Sequence, residues 1–215
     1  MIKVLGESNS ILNQFIAELR DVNVQNDFMR FRKNLERIGE IFAYELSKDL
    51  HYKNQQVQTP LGIAEVSVPS DQVILATIMR AGLPLHQGLL NYFDKAENAF
   101  ISAYRKYSKD GSFKIQFEHL SCPKVDGKVL IIIDPMLATG ASMLLAYKAI
   151  LERGTPKHTH IVSVIASKEG VDYMSKNLPK NATIWLGAVD DELTVKSYIV
   201  PGIGDAGDLA YGSKE

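Results

Sequence analysis

The chain holds one cysteine, Cys122, in 215 residues. An internal disulfide is therefore excluded, and a reducing compartment is the expected setting. It has no excess of either charge: 24 basic residues stand against 25 acidic ones, a formal net charge of −1. That balance offers no broad electrostatic footprint to DNA, RNA or an anionic membrane surface, so any bound anion has to be held locally. No apolar run approaches the roughly 20 residues that cross a bilayer. The opening Met1-Ile2-Lys3-Val4-Leu5-Gly6-Glu7 lacks the basic-then-apolar pattern of a secretory signal. Internal repeats and low-complexity segments are missing as well. These absences predict a cytoplasmic protein with neither nucleic acid nor membrane as a partner. With 46% hydrophobic residues, the length suits a single domain over 1–215 with one sizeable core.

Hydrophobic periodicity organises what is present. Between Asn9 and Leu50 the residues Leu12, Phe15, Ile16 and Leu19, then Phe28, Leu35, Ile38, Phe42 and Leu46, recur at helical spacing. Two or three helices are expected there, broken near Val22-Asn23-Val24. Gln55 to Val68 reads as a β-hairpin turning at Thr59-Pro60-Leu61-Gly62. Strands and helices then alternate: Val73–Met79 (strand), Pro84–Phe93 (helix), Phe100–Tyr104 (strand), Val129–Ile133 (strand), Ala141–Arg153 (helix), Thr159–Ala166 (strand), Gly170–Asn177 (helix) and Thr183–Ala188 (strand). Such alternation predicts an α/β fold, a mainly parallel sheet flanked by helices. Val129–Ile133 is a continuous β-branched and leucine run, as expected of a strand buried on both faces.

Chemistry concentrates just after that strand, in Asp134-Pro135-Met136-Leu137-Ala138-Thr139-Gly140-Ala141-Ser142. An acid leaves the strand's carboxyl end, where open α/β sheets bind ligands, and a loop of small residues turns into a helix. Gly140 would let the backbone approach an oxyanion, and the N–H groups of Thr139 to Ser142 are the unpaired donors of a helix start. The Thr139 and Ser142 hydroxyls add donors. Asp134 has the wrong charge for phosphate but suits vicinal ribose hydroxyls, and favours positive charge developing on the sugar. An ordinary βα loop with a Thr or Ser cap could use the same residues. The patterns of nucleoside-triphosphate loops and of dinucleotide folds are both absent.

This segment resembles the phosphoribosyl pyrophosphate (PRPP) signature of the uracil phosphoribosyltransferases, in which a proline follows the aspartate. Three further segments resemble the same family, in the same order. Met79-Arg80-Ala81-Gly82-Leu83 is similar to its pyrophosphate loop, which assigns pyrophosphate to Arg80, whose guanidinium fork suits two phosphate oxygens. Tyr104-Arg105 is similar to the family's Tyr-Arg pair and implies the same for Arg105, with Lys106 to Phe113 as a polar hood over the site. Tyr198-Ile199-Val200-Pro201-Gly202-Ile203-Gly204-Asp205-Ala206-Gly207-Asp208 resembles the uracil-binding loop of residues 198–208. It implies Ile199, Gly204, Asp205 and Ala206 around the base, with Asp205 also near PRPP.

The resemblance implies the type I phosphoribosyltransferase fold with a hairpin and hood region. It implies transfer of phosphoribose from PRPP to uracil, with Asp134, Asp205 and Arg105 in catalytic roles and Asp134 to Ser142 holding PRPP together with Arg80, Arg105 and Asp205. Mg²⁺ is expected to bind chiefly through PRPP, since no carboxylate cage is visible, and a homodimer or larger homo-oligomer is expected. The chain departs from the family pattern in Asp191 to Ser197, which lacks Asn-Glu-His-Gly, at Ala141, where the family has a second glycine, and in the hood. A purine-specific transferase would need a larger base site than Gly202 to Gly207 suggests. A regulator that senses PRPP or UMP without turnover would carry a basic nucleic-acid face. His158-Thr159-His160 has no Cys or acid cluster beside it and reads as a strand entrance.

Overall fold

The computed structural model describes residues 1–107 and 113–213, the side chains of 103–118 excepted. Its centre is a sheet in which β1 (Ile2–Val4), β10 (Ala182–Asp190), β9 (His158–Ser167), β7 (Val129–Ile133), β4 (Val73–Met79), β5 (Glu97–Tyr107) and β6 (Phe113–Ser121) lie side by side in that order. Every pair is parallel except β5 with β6. A two-residue strand, β8 (Met136–Leu137), adds to β9.

The pleat of β7 shows why the sheet is covered on both faces. Val129, Ile131 and Ile133 enter one core, with Leu12, Ile16 and Leu19 of α1 (Ile11–Arg20), a stripe from Phe31 to Leu46 of α2 (Phe28–Ser47), and Leu85 and Leu89 of α3 (Gly82–Tyr92). Leu130 and Ile132 enter the other, with Met143, Leu144, Tyr147 and Ile150 of α4 (Ala141–Leu151) and Val171 and Met174 of α5 (Lys168–Asn177). A continuous apolar strand is what a two-faced sheet requires. The α2 stripe, Phe31, Leu35, Ile38, Phe42 and Leu46, follows helical spacing and is almost wholly buried. Helices α2 and α3 touch backbone to backbone at Gly39 and Gly88, where a Cβ on Gly88 would lie 2.0 Å from the Glu36 carbonyl oxygen.

The expected strands and helices are present, with ends shifted by a few residues; β5, for instance, starts at Glu97. The hairpin forms from β2 (Tyr52–Thr59) and β3 (Gly62–Pro69), in register from Tyr52 opposite Pro69 to Thr59 opposite Gly62. It is a separate two-stranded ribbon whose Leu61 and Ile63 are exposed. Several short elements were not foreseen, the two-residue β8 among them. Strand β1 is too short to carry a pattern. Strand β6, Phe-Lys-Ile-Gln-Phe-Glu in its first residues, does carry the period-two alternation of an edge strand. The end of the expected base loop is helical, forming α6 (Ala206–Tyr211).

Candidate active site

Parallel pairing puts the carboxyl ends of β4, β7, β9 and β10 on one edge of the sheet, and the four expected segments start from that edge or return to it. Thr77 of β4 is level with Ile133 of β7, so the Arg80 turn and the Asp134 loop leave the sheet side by side. A Cβ on Gly82 would sit 3.1 Å from the Ile133 carbonyl oxygen and 2.3 Å from the Thr77 hydroxyl, which is why the turn after Arg80 takes glycine. The terminal segment returns to the same place: Arg80 Nη2 donates to Asp208 Oδ1 at 3.0 Å, and Nη1 to the Gly212 carbonyl at 3.2 Å. The peptide between Met79 and Arg80 is cis. Arg105 lies on β5 beyond Ser102, which pairs with Met79; its side chain and the hood residues 108–112 fall outside the described residues.

The loop after β7 is held from below. Its first residue, Asp134, is half-buried; its backbone N–H donates to the Val162 carbonyl, its carbonyl accepts from the Ser163 hydroxyl at 2.7 Å, and its Oδ1 accepts from the Met136 N–H at 3.2 Å. Pro135, Met136 and Leu137 turn inward. The Pro135 carbonyl accepts from the Val164 and Ile165 N–H groups, and Leu137 is buried in the core, so these three can offer a ligand little beyond backbone. The Ser167 hydroxyl donates to the Ala138 carbonyl at 2.6 Å and accepts from Gly170 N–H. Gly170 lies so close that a Cβ would be 2.2 Å from the Ala138 oxygen.

Gly140 caps α4 with φ +78°, a left-handed backbone that glycine adopts without strain. A Cβ there would press on Tyr173 and Met174 of α5, at 3.0 and 3.1 Å. Glycine is thus required here by backbone and packing, a different reason from the ligand approach read in the sequence. Thr139 Oγ1 accepts from Ala141 N–H at 3.4 Å, the local capping that the sequence allowed as an alternative. The start of α4 still presents N–H groups towards the loop.

The terminal loop is held from far away. The stretch Asp191 to Ser197 leads into a small antiparallel ladder, β11 (Glu192–Leu193) with β12 (Ile199–Val200). Arg20, the last residue of α1, makes a fork to Asp190 at the end of β10, with Nη1 and Nη2 donating at 2.8 and 2.7 Å. Nη1 also donates to the Gly202 carbonyl at 2.9 Å, and Gly202 N–H donates to Asp190 Oδ2 at 2.9 Å. Burial alone would raise the Asp190 pKa; the Arg20 and Gly202 hydrogen bonds outweigh it and hold the carboxyl below its usual value. Three residues on, Asp205 caps α6, its Oδ1 accepting from Gly207 and Asp208 N–H. Gly204 between them is exposed, at φ +83°. Ile199 and Ala206 are buried, so they would meet a base chiefly through backbone atoms.

Sequence reading passed over Arg20, Asp190, Ser163 and Ser167, and took Asp208 only as the end of the terminal segment. Asp190 did leave a signal, since it ends an apolar strand as Asp134 does. Arg20 left none, being one polar residue at the end of an amphipathic helix. A groove of about 500 Å³ behind the Arg80 turn, lined by Arg32, His86, Phe100 and Tyr211 among others, contains none of the expected site residues.

The family model described as uracil phosphoribosyltransferase matches residues 7–213. A uracil phosphoribosyltransferase of Porphyromonas gingivalis is 59% identical over 210 residues, spanning 98% of this chain and 97% of the relative. One from Pyrococcus furiosus is 34% identical over 209 residues, spanning 96% and 88%. Among solved structures, the AQ2163 protein of Aquifex aeolicus covers 100% of the chain and 99% of its own at TM-score 0.88 and 29% identity. A hypoxanthine phosphoribosyltransferase of Staphylococcus aureus shares the fold at TM-score 0.50 and 13% identity, covering 86% and 83%.

Proposed function

The chain belongs to the uracil phosphoribosyltransferase family, and on that footing we propose that it transfers phosphoribose from PRPP to N1 of uracil at the sheet edge described above. The bond from ribose C1 to the pyrophosphate oxygen breaks, the bond from C1 to N1 forms, the N1 proton is lost, and UMP and pyrophosphate leave. The observation that carries this reading is the Arg80–Asp208 contact. It ties the turn after β4 to the terminal loop, while the shared register of β4 and β7 sets the phosphate loop beside both.

In this scheme the N–H groups at the start of α4, with Thr139 and Ser142, hold the 5′-phosphate. Arg80 and Arg105 neutralise the departing pyrophosphate. Asp134 accepts from the ribose hydroxyls, and its charge favours the cationic character that grows at C1. Backbone groups around Gly204, with Asp205, orient the base and favour loss of its proton. No side chain acts as a nucleophile; the rate comes from positioning and electrostatics. In this scheme Mg²⁺ is carried chiefly on the phosphate oxygens of PRPP. When bound, the ion would offset charge on the leaving group.

A homodimer or larger assembly is part of this proposal, and the exposed apolar residues of the hairpin, Val57, Leu61, Ile63 and Val66, support it. Among the described residues no helix is long and apolar enough to cross a membrane; a cytoplasmic location fits the single cysteine. The test is incubation with PRPP, Mg²⁺ and uracil, cytosine or hypoxanthine in turn. UMP from uracil alone is expected. Nucleotide from hypoxanthine instead would make it a purine enzyme, and PRPP binding with no product from any base would make it a sensor.

A further inference from the structure

Gly202 stands in an unusual position among the residues of the terminal loop. Its peptide is buried, its φ is +59°, and a Cβ would lie 2.1 Å from the Ile199 carbonyl oxygen. Its N–H and its C=O are both taken, and by the two members of one ion pair. Arg20 Nη1 serves Asp190 and the Gly202 carbonyl together, while Asp190 Oδ2 serves Arg20 and the Gly202 N–H together. The three residues form a closed ring of charge-assisted hydrogen bonds across a sequence separation of 182.

We propose that the Arg20–Asp190 pair is the positioning element for base binding: it fixes the Gly202 peptide and, through it, the backbone groups that meet the pyrimidine. This rests on the reading of residues 199–206 as the base site. The chain between Gly202 and the Asp205 cap is only Ile203 and Gly204. Clamped at one end and capped at the other, the exposed Gly204 segment has little freedom left. A flat base recognised by in-plane backbone groups needs that restraint, because donors and acceptors held within about 0.5 Å bind without reorganising. The phosphate loop hangs on different supports, Ser163, Ser167 and Gly170. Loosening the clamp should therefore be felt far more by uracil than by PRPP, whose ties to the terminal segment run through the α6 end at Asp205 and Asp208.

Arg20→Lys keeps the charge and loses the fork; Asp190→Asn keeps an acceptor for Gly202 and loses the charge. Both are compared with Gly204→Ala, which strains the loop itself, by measuring KM for uracil and for PRPP alongside the melting temperature. The expected result is a rise in uracil KM of roughly tenfold, the size of one weakened charge-assisted hydrogen bond. PRPP KM should stay within about twofold, and Arg20→Ala should be worse than Arg20→Lys. Unchanged uracil KM in folded variants overturns the proposal, as does an equal rise for both substrates, which is what general loosening of the fold would give. If Asp190→Asn does not fold at the assay temperature, Arg20→Lys alone decides. If Gly204→Ala leaves uracil KM untouched, the assignment of the base loop fails and the clamp's role fails with it; a change there but not in the clamp variants overturns the clamp alone.

Discussion

The loop after β7, proposed to hold phosphate, and the terminal loop, proposed to hold the base, meet at one sheet edge and are built in opposite ways. The loop after β7 is one run of nine consecutive residues, supported by a single neighbouring unit, β9 and the start of α5, at Ser163, Ser167 and Gly170. The terminal loop is assembled at long range, from Arg20 at the end of α1, Asp190 at the end of β10 and Arg80 after β4. If the two loops hold the substrates as proposed, the base grip can be altered without touching the anion grip. The contrast also locates the energetic risk. Asp190 is buried while Arg20 keeps about a quarter of its side chain exposed, so removing Arg20 leaves a buried carboxylate without its cation, whereas the loop after β7 is held chiefly by neutral hydrogen bonds of about 1 kcal/mol each.

The sharpest way to break the comparison is at Asp134, the loop's one charged residue. Asp134→Asn should lower kcat by about 10²–10³ while changing PRPP affinity much less, because its benefit grows with charge at C1. Equal losses in kcat and in PRPP binding, by steady-state kinetics and titration calorimetry, would remove that role. Next comes Gly140→Ala. With φ +78° and Tyr173 and Met174 in contact range, it should cost about 1–3 kcal/mol of stability and raise PRPP KM, leaving uracil binding nearly as it was. A thermal melt and both KM values check this. Smaller is Asp208→Asn. The Arg80–Asp208 pair is more than one-third exposed on each side, and such pairs contribute little. A change in PRPP KM of about two- to threefold is expected, and a much larger one would show Asp208 meeting the ligand itself.

Acid should separate the regions more gently. The carboxyl of Asp190 is held below its usual value, and that of Asp71, which accepts from His51 N–H and pairs with Lys157 at the hairpin base, is lowered to about 2 against the pull of burial. A depressed carboxyl stabilises the fold above its unfolded pKa, and that stability is lost as pH falls through the folded value. Unfolding free energy should therefore hold to about pH 4 and then decline. Asp190→Asn should flatten part of that decline in denaturant titrations at successive pH values.

The helices, the parallel strands and the phosphate loop were legible because their signals are local. The Phe31 to Leu46 stripe repeats at helical spacing, Val129–Ile133 is apolar throughout, and Asp134 to Ser142 has its acid, glycine and hydroxyls in one run. Strand β6 was legible too, by its alternation, but the expected hood obscured it. The end of the base loop was taken for irregular chain where the structure has a capped helix, since Asp205 reads equally as a ligand-binding acid and as a helix cap.

By itself the sequence determined the sheet class, the loop of small residues after β7 and, through four motifs in order, the family. Tertiary structure alone decided that Arg20 faces Asp190, that both close on the Gly202 peptide, and that Arg80 rests against α6. The reason is physical: a helix stripe or a βα loop is specified by neighbours a few residues away, but a hydrogen bond across 182 positions exists only once the sheet has brought its carboxyl ends to one edge.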